Sequence, residues 1–176
     1  MTKTKKLILS GILAALSIVL TRLLSINPEP YIRITFGFVP IILAGIIVGP
    51  YFGAGVGAVA DFLGCILFGI PPYLPITLTS ALVAVLAYLV YRLMKEAKEW
   101  AKAWITVIVI QIVCSMLLQT YFLSTLGVGP FIALLPWRAL VAAGMIPVYA
   151  VLVYTILIGL KKANLIGSVP SSEKNK

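Results

Sequence analysis

Six long apolar stretches separated by Pro- and Gly-rich breaks predict an all-α membrane protein, a single six-transmembrane-helix bundle with its N- and C-termini cytoplasmic. Two further observations support that class. Hydrophobic residues make up 61% of the 176-residue chain and charged residues 11%, less than half the roughly one quarter usual in soluble domains. The basic residues behind the net charge of +9 sit in short clusters at the ends of the apolar stretches, where they set membrane topology instead of forming a nucleic-acid surface.

The first span covers residues 7–24 and follows Lys3, Lys5 and Lys6. It imitates a signal peptide, but it runs on to Thr21, Arg22 and Leu23 without a small-x-small cleavage site, so it reads as a retained helix. Ser10 with Ala14, and Gly11 with Ala15, form two adjacent pairs of small residues four apart. Such pairs either pack inside the bundle or dock a partner helix.

The second span, 32–48, is entered through Asn27-Pro28-Glu29-Pro30 and needs Ile32 to Thr35 to reach across about 30 Å of hydrocarbon. Pro40 predicts a kink in it. The third, 51–69, follows Gly49-Pro50 and carries Gly49, Gly53, Gly57 and Asp61 at four-residue spacing. On a helix these residues form one slowly drifting stripe, along which a neighbouring helix approaches closely and the carboxylate is kept from lipid.

A Pro-rich connection from Gly69 to Pro75 leads to the fourth span, 75–92, with Thr77, Thr79 and Ser80 near its outer end. Arg92 to Lys102 then reads as a solvated helical extension anchoring the cytoplasmic side, with Lys95 and Glu99 four apart and Glu99 and Lys102 three apart. The fifth span, 103–125, presents Gln111, Ser115 and Gln119 as a polar stripe that must face protein or cavity. After Gly127-Val128-Gly129-Pro130 comes the sixth, 136–160, and the polar tail 168–176 reads as disordered. No internal repeat or second domain is apparent, so residues 1–176 form a single membrane domain.

With both termini inside, only Arg22, Arg33 and Arg138 fall on the outer side, near one depth and against the positive-inside bias. One arginine at a helix end snorkels to the interface, but three at one level suit an anionic ligand, because guanidinium binds carboxylate bidentately. Asp61, the only acidic residue within a span, either bridges to an arginine or accepts hydrogen bonds from a ligand amine or ring N–H. Three arginines and one ionised aspartate leave two positive charges in excess, which a dianion balances. Phe36, Tyr73, Tyr121 and Trp137 belong to an outer set of aromatic residues that serve as an interfacial belt or as stacking surfaces for a flat ring.

Cys65 and Cys114 lie singly in apolar spans and read as packing residues; the chain has no histidine to complete a metal site. There is also no GxxxxGK[ST] phosphate loop, so this is not an enzyme, and the energy for any active transport comes from another subunit.

Residues 34–64, and most specifically the G-P-x-x-G-x-x-x-G-x-x-x-D-x-x-G run from Gly49 to Gly64, resemble the substrate-binding S components of energy-coupling factor (ECF) vitamin transporters, in particular their folate-specific members. The resemblance covers about residues 5–165. It implies a multi-pass protein of a prokaryotic plasma membrane that binds folate or a reduced folate from outside, with no other cofactor. It implies partnership with a transmembrane scaffold subunit and two cytoplasmic ATPases, and gating loops at Leu24 to Tyr31 and Gly69 to Pro75. The family's first-helix Ala-x-x-x-Ala docking motif is matched in position by Gly11-x-x-x-Ala15, with Ser10 and Ala14 beside it. The candidate substrate-binding set is Arg22, Arg33, Phe36, Asp61, Tyr73, Gln119, Tyr121, Trp137 and Arg138. Rival readings are an S component for another anionic vitamin such as pantothenate, a stand-alone ion-coupled carrier using Asp61, and a purely structural subunit.

Overall fold

A computed structural model of the chain describes residues 2–23, 25–29, 32–69, 71–94, 96–127 and 129–162. The expected disordered tail 168–176, Lys95 and Tyr31 lie outside the described residues. Helix α1 (Lys3–Arg22) is followed by a short antiparallel ribbon, β1 (Ile26–Glu29) and β2 (Ile32–Ile34), in which Ile26 faces Ile34 and Glu29 faces Ile32. Then come α2 (Phe38–Val48), α3 (Pro50–Leu67), α4 (Leu74–Leu93), α5 (Glu99–Ile110), a π-helical segment (Gln111–Gln119), α6 (Thr120–Thr125) and α7 (Phe131–Lys162). Glu99–Thr125 is one 27-residue apolar helix with the π-helical segment inside it.

Among the described residues five helices are long and apolar enough to cross a membrane, and α2 is a shorter apolar one. This corrects the second expected span. Its first residues, Ile32–Ile34, pair as a strand, and the 11-residue helix that remains rises only about 16 Å. The ribbon also means that the protein is not purely helical. Pro40 stands third in α2, where its missing N–H has no intrahelical partner to lose, so a kink is not required. The last helix begins at Phe131, five residues earlier than expected, and therefore contains Pro136 instead of starting there. Arg138 consequently lies two turns inside a helix, while Arg22 is the last residue of one.

Of the expected stripe, Gly53, Gly57 and Asp61 lie on α3, whereas Gly49 stands outside the helix. Gly49, at φ +104°, makes the single-residue turn from α2 into α3, a backbone state that glycine adopts without strain. A Cβ on Gly53 would stand 2.8 Å from the Gly45 Cα of α2, and one on Gly57 would stand 2.2 Å from the Ser80 carbonyl oxygen of α4. Gly45 is equally constrained, since its Cβ would lie 2.2 Å from the Ala84 carbonyl oxygen. Backbone thus meets backbone across α2, α3 and α4, a mode of packing that lipid, which supplies no hydrophobic drive between helices, rewards through dispersion contacts.

One core joins α2, α4, α5 and α7 through Ile42, Val83, Ala87, Val107, Ile110, Ala150 and Val153, and Cys114 packs into it. A second joins α1, α2 and α3 through Leu13, Ala14, Ala44, Val48 and Val56. Where the end of α4, the start of α5 and the end of α7 meet, Glu99 accepts from Tyr91 Oη and pairs with Lys102 Nζ at 3.1 Å and Lys161 Nζ at 2.9 Å. Arg92, Glu96 and Lys98 are exposed as expected, but the segment is not one helical extension, since α4 ends at Leu93 and α5 begins at Glu99, and Lys102 is only 1% exposed with its ammonium over the Tyr91 ring. Three helices meet on these charges.

Gly57→Leu should lower the unfolding temperature in detergent by the equivalent of about 3 kcal/mol, because the obstructing atom is backbone. Gly55→Ala, whose Cβ meets nothing within 4 Å, should leave it unchanged. Equal melting of the two variants would contradict the close approach of α3 to α4.

Candidate functional site

A cavity of about 270 Å³ opens between α1, the segment before α2, α3, α4, the π-helical segment and α7. Arg22, Asp61, Gln119 and Arg138 all line it, as do Gln111 and Ser115 of the expected polar stripe. Four of the nine candidate ligand residues therefore share one wall system although they come from α1, α3, the π-helical segment and α7.

Arg22 reaches the cavity by lying across α3. Its Nη2 donates to Cys65 Sγ at 2.9 Å, and a Cβ on Gly64 would stand 3.2 Å from its Nε, so the absence of a side chain at Gly64 makes the groove it occupies. One turn before Cys65 on the same face, Asp61 Oδ2 accepts from Thr77 Oγ1 of α4 at 2.7 Å. The ion pairs among the described side chains belong to Glu99, at the other end of the bundle, and neither Arg22 nor Arg138 pairs with Asp61. Asp61 is thus held by a neutral threonine, and Arg22 and Arg138 line the same cavity without bridging to it.

The π-helical segment shapes the opposite wall. A run of nine π-helical residues is rare, and π geometry inside α-helices marks functional sites more often than chance. Here it carries Gln111, Ser115 and Gln119 to the cavity. Arg138 Nη2 donates to the Ser115 carbonyl at 3.2 Å and to Gln119 Oε1 at 2.9 Å. Two atoms of this wall, Arg138 Nε and Gln111 Oε1, are buried and make no hydrogen bond among the described residues. Leaving one buried donor and one acceptor unmatched costs free energy that a polar ligand recovers.

Several cavity residues carried no expectation. Ser17 lines it while donating to the Gly37 carbonyl at 2.9 Å, and Tyr149 lines it while donating to the Thr35 carbonyl. The signal for Ser17 was available: Ser10, Ser17 and Thr21 fall on one helical face of an otherwise apolar span. Tyr149 also takes the edges of Phe36 and Phe38, each at 6.5 Å between ring centroids.

The aromatic candidates divide by position. Phe36 packs behind the wall on Tyr149, while Phe38 lines the cavity itself. Tyr73, Tyr121 and Trp137 are not on the cavity wall. Tyr73 bonds Thr125 Oγ1 at 3.2 Å and meets Phe122, and Tyr121 and Trp137 are 57% and 59% exposed on the bundle surface. A helix turns about 100° per residue, so Trp137 and Arg138 cannot both face the interior. Arg33 stands in β2, with its side chain outside what the structure describes.

On α1 the two small-residue pairs part. Ser10 and Ala14 are buried in the bundle, whereas Gly11 and Ala15 are exposed, and a Cβ on Gly11 would meet nothing within 4 Å.

A model of the family described as "ECF transporter, substrate-specific component" matches residues 5–169. The chain is 32% identical over 154 residues to "Folate transporter FolT" of Clostridium novyi (strain NT), covering 88% of each chain. Its fold matches a structure titled "Crystal structure of FolT bound with folic acid" with a TM-score of 0.75 and 25% identity, over 87% of this chain and 92% of that one. A second structure, "Structure and mechanism of the S component of a bacterial ECF transporter", shares the fold with a TM-score of 0.53 at 23% identity, over 93% of this chain and 97% of that one.

Thr77→Val removes the donor that holds Asp61 and should cost about 1.5 kcal/mol of stability in thermal unfolding, with Thr77→Ser retaining most of it. Unfolding of Thr77→Val at the wild-type temperature would mean that the bond contributes nothing.

Proposed function

The chain belongs to the family of ECF transporter substrate-specific components, and on that premise we propose that it captures folate from outside the cell and delivers it through an ATP-driven energy-coupling module. The observation that carries the ligand assignment is the cavity lined by Arg22, Arg138 and Asp61 without an ion pair between them. Folate brings two carboxylates and a pterin with a ring N–H and an amino group. Arg22 and Arg138 serve as partners for carboxylate or carbonyl oxygens, Asp61 serves the pterin edge, and Gln119 lines the same wall.

The protein is a multi-pass component of a prokaryotic plasma membrane. We place both termini on the cytoplasmic side, which leaves the lysines of α1, α5 and the end of α7 inside and the ribbon outside. In this orientation α1 supplies the docking face for the transmembrane scaffold subunit. Gly11 and Ala15 form its outward small-residue stripe, and Ser10 and Ala14 hold the helix to the bundle from behind. ATP is hydrolysed by the two cytoplasmic ATPase subunits that complete such a transporter.

Arg138→Ala and Asp61→Asn should each weaken folate binding at least tenfold in calorimetric titration, since each removes a charge-assisted hydrogen bond. Wild-type affinity in both variants would remove the site assignment. Uptake of folate into vesicles should require the scaffold and ATPase subunits; uptake by this protein alone under an imposed ion gradient would favour the stand-alone carrier.

A further inference from the structure

The guanidinium of Arg138 is held in an unusual manner for a cation half-buried in a membrane bundle. Its Nη2 is shared by two neutral acceptors, the Ser115 carbonyl at 3.2 Å and Gln119 Oε1 at 2.9 Å, and among the described residues no carboxylate touches it. Its Nε is buried and makes no hydrogen bond among those residues. A carboxylate at position 119 would make a stronger, charge-assisted bond with the same reach, but it would cancel the arginine's charge.

The π-helical segment makes this arrangement possible. A π turn spans five residues, and the Ser115 carbonyl accepts from the hydroxyl of Thr120, five residues on, at 3.3 Å while also taking the bond from Arg138. One side of the cavity thus offers two oxygens to a single guanidinium nitrogen and adds no negative charge.

Resting on the reading of this cavity as the folate site, we propose that Gln119 is a positioning residue for Arg138. Its neutral amide oxygen clamps Nη2 against the π-helical wall, which holds the guanidinium at the cavity with its positive charge undiminished for the anionic ligand. Gln119 acts through the arginine and makes no direct bond to the ligand.

A double-mutant cycle read by calorimetric titration of purified protein with folate tests this. Gln119→Ala should raise Kd about tenfold, and Gln119→Glu, although isosteric, should raise it further, by about a hundredfold, because its carboxylate neutralises Arg138. In an Arg138→Met background Gln119→Ala should change Kd less than about twofold, since the residue it positions is gone. Loss of the same factor in both backgrounds would show that Gln119 touches the ligand directly and would overturn the proposal. Wild-type affinity in Gln119→Glu would overturn it as well, because a neutral acceptor would then hold no advantage. If Arg138→Met alone binds folate like the wild type, the folate reading of the cavity fails at Arg138 and takes the role of Gln119 with it. A melting temperature measured for each variant separates unfolding from these outcomes.

Discussion

Hydrocarbon offers no hydrogen bonds, and nearly every polar feature of this protein follows from that constraint. Serine and threonine hydroxyls within the spans turn back to their own helix, as Ser10, Thr79 and Ser80 do, or cross to a neighbouring element, as Ser17 and Thr77 do. Three buried side-chain atoms, Thr106 Oγ1, Gln111 Oε1 and Arg138 Nε, make no hydrogen bond among the described residues, and the last two belong to residues that line the cavity. In an apolar solvent, unpaired polar groups beside a cavity are the ones a polar ligand can satisfy.

The glycines of α2 and α3 allow polar groups from separate helices to gather in so small a volume. Where Gly45 meets Ala84 and Gly57 meets Ser80, the backbones are in direct contact, and Asp61 is brought within hydrogen-bond distance of Thr77 one turn further on. The same economy operates at Gly64, whose missing side chain leaves the path along which Arg22 reaches the cavity. The opposite end is held by charge instead: Glu99 gathers Lys102, Lys161 and Tyr91, tying α4, α5 and α7 together. A buried pair of this kind is weak evidence for net stability, yet it specifies which helices meet, because separating Lys102 from Glu99 strands a desolvated ammonium.

Periodicity made part of the site legible. The four-residue spacing of Gly49, Gly53, Gly57 and Asp61, and of Gln111, Ser115 and Gln119, names helix faces, and those faces do meet neighbouring helices and the cavity. The aromatic residues were harder to place, since Phe38 and Trp137 are both aromatic while only Phe38 lines the cavity. Which way a ring turns depends on the rotation of its helix, and rotation is set by packing partners far away in sequence.

By itself, then, the sequence determined the membrane class, the order of the apolar elements, the family resemblance and the few ionisable groups available to a ligand, because hydropathy and charge are local properties of the chain. Tertiary structure alone decided that residues 32–34 pair as a strand and leave α2 short, and that the chain between α5 and α6 widens into a π-helix. It also decided that Lys102 is buried and that Asp61 accepts from Thr77 of α4. Each of these depends on contacts between residues distant along the chain, whose energies no local window contains.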